Sequence, residues 1–174
     1  EMCIRDRFWF FDAIYCINRD RDTDRWEQMR RRFERLGIAE RVRRFAAVET
    51  PDCHHVGCTL SHRQIVEAAR DQQLDNVLVL EDDAVFLEGT GWCLRASLEE
   101  LERRAWDVCK LGGHRWGAPV RPVPDCDHLE FAGRSTCSQA VAYHRRIFER
   151  ILRDIPGSPE AVARWCRDHH ACLL

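Results

Sequence analysis

The chain has 174 residues, 45% of them hydrophobic and 32% charged, and 27 basic residues against 29 acidic ones give a formal net charge of -2. This is one domain's worth of chain with enough apolar content for its own core, which excludes a disordered polymer and a membrane span. With the charges nearly balanced there is no basic field, so no nucleic-acid partner is expected.

Residues 1–10 carry no periodicity and begin on Glu1, so they are set apart as a fragment edge or scar, and 11–174 is taken as the domain. From Phe11 the run FDAIYCIN reads as a first strand, closed by the polar loop RDRDT. Asp24 is the expected N-cap of a helix in which Trp26, Met29, Phe33 and Leu36 share one face, and Gly37 stops it. Val42 to Val48 reads as a second strand near a sheet edge, because Arg43 and Arg44 interrupt it. A loop with Cys53, His54 and His55 then leads to GCTLSH, Gly57 to His62. There Thr59 or Ser61 is expected to cap a helix from Leu60 to Gln72, whose free amides would suit an anion.

The stretch NVLVLEDDAVFL, Asn76 to Leu87, is the most informative. Val77 to Leu80 lack polar alternation, as expected of a central strand covered on both faces. Unpaired carboxylates cannot stay inside such a strand, so Glu81, Asp82 and Asp83 are expected where it surfaces. In open α/β sheets that carboxyl edge is where ligands collect. Adjacent carboxylates repel, and a divalent cation with substrate phosphates relieves the repulsion. The alternative is an acidic turn facing water.

Leu94, Leu98, Leu101 and Ala105 mark another amphipathic helix, and WDVCKL, Trp106 to Leu111, a strand ending at Gly112-Gly113. His114 to Asp127, with three prolines, reads as a long loop. Phe131 and Gln139 to Tyr143 read as short strands. Ile147, Phe148, Ile151 and Leu152 start a helix ending near Pro156, and Pro159 to Cys172 a last one. Strands alternating with helices predict an α/β fold with a mostly parallel sheet flanked by helices. No GxGxxG follows the first strand and GxxxxGK[ST] is absent, which removes a dinucleotide fingerprint and a P-loop.

Ten cysteines form no CxxC pair, and Cys16 and Cys109 fall in strand-like runs where a thiol acts as a small hydrophobe. Cys53, His54, His55 and Cys58 cluster, as do Cys166, His169, His170 and Cys172, with zinc-ligand chemistry but no standard finger spacing. Either cluster would hold a structural zinc, or the thiols stay reduced in a cytosol-like compartment.

IYCINRDRDTDRW (Ile14 to Trp26), FAAVET, GCTLSH, VLVLEDDAVF, WDVCKLGG and SQAVAYHRRIFERIL, in that order, resemble glycosyltransferase family 25. The family includes bacterial lipooligosaccharide galactosyltransferases and collagen-modifying galactosyltransferases. The resemblance implies a GT-A-like nucleotide-sugar fold, a metal-binding acidic motif, and sugar transfer with inversion at the anomeric carbon. It makes Asp83 the principal ligand of Mn²⁺ or Mg²⁺, with Glu81 beside it, and has Glu81 or Asp82 orient the ribose or a metal-bound water. Asn18, Arg19, Asp20 and Arg21, with Arg25, would hold the donor nucleotide, and Ser61 and His62 would face the same cleft. The implied donor is a UDP-sugar carrying galactose, and the acceptor a lipooligosaccharide-type surface glycan.

Inversion also requires a base for the acceptor hydroxyl, for which Asp107, Asp125 and Asp127 are candidates by position. The expected location is cytoplasmic, with peripheral association at the inner face of the membrane and no integral span. The chain ends at Leu174, soon after the last matching motif, so the domain is expected to be incomplete at that end. The rival is a non-catalytic binding module of the same fold, with zinc at the Cys/His clusters. A nucleotidyltransferase, the second enzymatic rival, would carry a glycine-rich phosphate loop that is not seen.

Overall fold

The computed structural model of the chain describes residues 8–168, apart from 52, 90, 116–118, 120 and 133–134. The first half consists of β1 (Ala13–Asn18), α1 (Thr23–Leu36), β2 (Val42–Ala46), α2 (His54–Asp71) and β3 (Asn76–Glu81). The second half consists of α3 (Gly91–Glu102), β4 (Val108–Lys110), β5 (His114–Arg115), β6 (Ser135–Thr136), β7 (Ala140–His144), α4 (Arg145–Asp154) and α5 (Pro159–Asp168).

Five strands form one sheet in the order β2-β1-β3-β7-β4, and β5 pairs with β6 in a separate ribbon. The strand read as central is central: β3 lies between β1, parallel to it, and β7, antiparallel to it. Because β4 is also antiparallel to β7, it runs the same way as β3. The sheet is therefore mostly parallel, with one reversed strand filling the gap between β3 and β4.

Side chains alternate across a strand, so its two faces need two covers. Ile14, Cys16, Leu78, Leu80 and Ala142 share one face with Met29 and Phe33 of α1 and Leu98 and Leu101 of α3. Tyr15, Ile17, Val77, Val79, Val141 and Tyr143 share the other with Ile65, Val66 and Ala69 of α2 and Phe148 of α4. On the outer side of α2, Val56 and Leu60 bury Val162 of α5. The first core begins ahead of β1: Phe8 is buried, its ring 6.4 Å from that of Phe11 and 6.3 Å from that of Phe86.

Several boundaries differ from expectation. Asp22, not Asp24, precedes α1, while Gly37 ends it as expected, in the left-handed region at φ 69°. The larger correction is α2, which starts at His54 rather than Leu60, so GCTLSH lies within the helix and offers no free amides to an anion. Gly57 is a point of contact rather than a helix start. A Cβ there would sit 2.1 Å from the Val48 carbonyl oxygen, so only glycine lets the helix pass this close to the chain leaving β2. The long loop after β4 is partly ordered into β5 and its partner β6, and a single bridge joins Pro122 to Glu130. Phe131 belongs to no strand; it is exposed, with the Arg121 guanidinium 4.6 Å from its ring centre.

Candidate functional site

The strand's alternation splits the acidic triplet. Glu81 is in phase with Val77 and Val79, so it turns toward α2, and Asp82 turns the other way, toward α1. Asp82 accepts hydrogen bonds from Asn18 Nδ2 at 2.8 Å and pairs with Arg25 Nη2 at 2.7 Å. Asn18, itself buried, accepts at Oδ1 from Arg44 Nε at 2.9 Å, and Arg44 reaches Asp20 at 2.7 Å. These bonds tie the carboxyl ends of β1, β2 and β3 together. Asp83 lies beyond them, its side chain 49% exposed and 4.0 Å from Arg25. Partial burial, with repulsion from Glu81 and Asp82, raises its carboxyl above the ordinary range against the pull of Arg25.

On the other side of the sheet, Cys58 and His62 stand one turn apart on α2 and meet Glu81. Cys58 Sγ lies 3.6 Å and His62 Nε2 3.7 Å from Glu81 Oε1. Ser138, just before β7, donates a short hydrogen bond to the same oxygen. The His62 ring is buried; its Nδ1 is 3.0 Å from the Tyr143 hydroxyl, whereas its Nε2 has no hydrogen-bond partner. Burial, then the charge of Glu81, pushes the Cys58 thiol up to about 12, so it is uncharged at neutral pH. Burial also raises the Tyr143 phenol well above its usual value. For Glu81 burial alone would raise the carboxyl, but His62, Ser138 and Cys58 outweigh it and hold the group below its ordinary range. Cys58, His62 and Glu81 bring their ligand atoms within 4.8 Å of one another, and this trio can hold a metal ion.

The other candidates are dispersed. Arg19 pairs with Asp22 at 2.5 Å and Arg21 with Glu49 at 3.3 Å, both on the loop side of β1. Ser61 has its hydroxyl engaged within the protein, against the chain that leaves β2. It is buried, donating to Gly57 O at 2.8 Å and accepting from Val48 N at 2.9 Å. Asp107 sits at the amino end of β4, the edge opposite Glu81, pairing with Arg146 at 3.2 Å. Asp125 and Asp127 are fastened through their backbones, to Arg104 at 3.0 Å and to Glu100 at 3.0 Å, where α3 returns the chain toward β4. None of the three carboxylates joins the acidic triplet.

The first Cys/His cluster does not gather as read from spacing. Cys53, His54 and His55 are exposed at the start of α2, while Cys58 turns inward. In the second cluster Cys166 packs against the Val56, Leu60 and Val162 core, and His169, His170 and Cys172 lie outside the described residues. Cys16, Cys53, Cys58, Cys93, Cys109, Cys126 and Cys137 form no disulfide. Sequence reasoning missed Ser138 and Tyr143 and grouped Cys58 with the wrong neighbours. The signal it had was the four-residue spacing of Cys58 and His62, together with Glu81 standing in register with Val79.

No helix among the described residues is long and apolar enough to cross a membrane. A family model described as glycosyltransferase family 25 (LPS biosynthesis protein) matches residues 53–157, more than half the chain. The match spans α2 to the turn after α4 and so includes Cys58, His62, the acidic triplet, Ser138 and Tyr143. No curated protein matches the chain.

Proposed function

The chain belongs to glycosyltransferase family 25 and is a glycosyltransferase, and from that premise we propose that it moves galactose from a UDP-sugar to a lipooligosaccharide-type surface glycan, with inversion and with Mn²⁺ or Mg²⁺. The observation that carries this reading is the division of the triplet, which leaves Asp83 projecting at the carboxyl edge while Asp82 is braced by Asn18 and Arg25. The donor set fits a hard cation: Asp83 offers carboxylate oxygens, and of the two effects that raise its proton affinity, partial burial and then repulsion from Glu81 and Asp82, a divalent ion relieves the repulsion. When bound, such an ion neutralises charge developing on the departing diphosphate.

The chain's own residues would do the rest. Arg25, already between Asp82 and Asp83, has its side chain 42% exposed and so could reach phosphate oxygens. Asn18 and Asp82 hold the end of β1 against the end of β3, so the donor would meet a preformed floor. Arg19, Asp20 and Arg21, in the loop after β1, would flank the nucleotide. His62 would support from behind, by holding Glu81 away from the donor. We assign the arrangement to a GT-A-like fold working in the cytoplasm, peripherally at the inner face of the membrane. Asp107, Asp125 and Asp127 receive no role in the transfer.

The test is calorimetric titration of UDP-galactose into metal-stripped protein with and without Mn²⁺, on the parent and on Asp83→Ala. Metal-dependent heat that the variant loses supports the reading. Folded parent protein that takes neither UDP-galactose nor UDP overturns it.

A further inference from the structure

We propose that Cys58 Sγ, His62 Nε2 and Glu81 Oε1 form a second metal site, for zinc or a similar borderline-soft divalent ion, on the α2 side of the sheet and separate from the donor cation at Asp83. Three independent observations point there.

The first is spacing. Tetrahedral zinc with a bond of about 2.3 Å to sulfur and about 2.0–2.1 Å to nitrogen and oxygen sets its ligand atoms about 3.3–3.6 Å apart. The separations from Glu81 Oε1 are 3.6 Å to the thiol sulfur and 3.7 Å to the imidazole nitrogen. The thiol sulfur and the imidazole nitrogen lie within 4.8 Å of each other, so seating the ion asks these two side chains to close by no more than about 1 Å.

The second is the orphaned nitrogen. His62 is 2% exposed and its Nε2 has no hydrogen-bond partner, a costly state for a buried polar atom. In the tautomer that places the proton on Nδ1, toward the Tyr143 hydroxyl 3.0 Å away, Nε2 presents its lone pair to Cys58 and Glu81, whose ligand atoms lie within 4.8 Å. An outer partner on one ring nitrogen that fixes the other for a metal is a recurring feature of histidine ligation.

The third is chemistry. A sulfur, a nitrogen and an oxygen donor suit zinc, whereas Mg²⁺ and Mn²⁺ prefer the all-oxygen surroundings of Asp83. Binding replaces the thiol proton, which leaves to solvent, so thiolate and carboxylate together neutralise the ion. Ser138, hydrogen-bonded to Glu81 and 3.9 Å from the thiol, borders the remaining position, to be filled by its hydroxyl or by water. The ion would pin α2 to the end of β3 whether or not donor is present.

The test is titration of metal-stripped full chain with Co²⁺. Expected are the intense visible bands of tetrahedral cobalt with a near-ultraviolet thiolate charge-transfer band, both displaced by Zn²⁺. Cys58→Ser should abolish the charge-transfer band, whereas Cys53→Ser and Asp83→Ala should keep it. Tyr143→Phe, which touches no metal, should weaken binding about 10–100-fold. Circular dichroism of each variant separates loss of the site from loss of the fold. Weak octahedral bands alone, a charge-transfer band that survives Cys58→Ser, or one that disappears in Asp83→Ala would overturn the proposal. Because UDP-galactose is absent, the outcome is independent of the donor reading.

Discussion

At the scale of the residue, the fate of a side chain is set by which face of the strand it leaves. Three adjacent carboxylates look alike in sequence, yet Glu81 is enclosed by a thiol, an imidazole and a hydroxyl, Asp82 is paired, and Asp83 meets water. The strand end was legible from the apolar run before it; the separate partners were not, because Ser138 and Tyr143 lie more than fifty residues away along the chain. Replacing Tyr143 with Phe in metal-free protein leaves His62 Nδ1 buried without its partner. A loss of about 1–3 kcal/mol is expected, read from urea denaturation. Away from the site, hydrogen bonds from His128 and from the backbone N–H groups of Asp127 and His128 hold the Glu100 carboxyl down at about 2, below an ordinary 4.5. A depressed carboxylate stabilises the fold fully above its unfolded value and loses that contribution as pH falls through the folded one. The gap in melting temperature between the parent and Glu100→Gln should therefore be widest above pH 4.5 and close as pH falls toward 2.

At the scale of the element, α2 is where spacing misled. A glycine followed by Thr59 and Ser61 reads as a helix start, but the helix is already three residues old at Gly57. The glycine admits the Val48 carbonyl, Ser61 then binds the Val48 amide, and Cys58 and His62, one residue on and so about 100° round the helix, meet Glu81. That contact is invisible locally because Val48 belongs to the chain leaving β2. Gly57→Ala should cost about 3 kcal/mol, since the obstacle is backbone that cannot swing aside, and Ser61→Ala about 1 kcal/mol. Chemical denaturation of the two variants checks the order. The strands β1 and β3, the helices α1 and α4, and the edge position of β2 were readable because each depends on periodicity over its own length.

At the scale of the molecule, the two edges of the sheet divide the work. Asp107, Arg146, Asp75 and Arg145 form exposed ion pairs at the edge remote from the triplet. Exposed pairs contribute about 0–1 kcal/mol, so Asp107→Asn should leave stability nearly unchanged and sugar transfer within about twofold of the parent. A large loss of turnover with intact donor binding would return Asp107 to the reaction. The alternation of strands and helices foretold a mostly parallel sheet, but not that β7 runs backward between β3 and β4, since strand order is a long-range property that local pattern does not carry. That reversed strand has a consequence for biosynthesis. Among the described residues β4 pairs only with β7, so when it leaves the ribosome it has nowhere to dock, and β3 presents one bare edge until His144 has been made. Nascent chains paused in that interval would expose an apolar β3 to one another, the situation in which strands pair with the wrong chain. Ser138 reaches Glu81 only when β7 slots in, so the pocket around that carboxylate is completed well after Glu81 itself has been made, and a chain ending short of that strand would lack it.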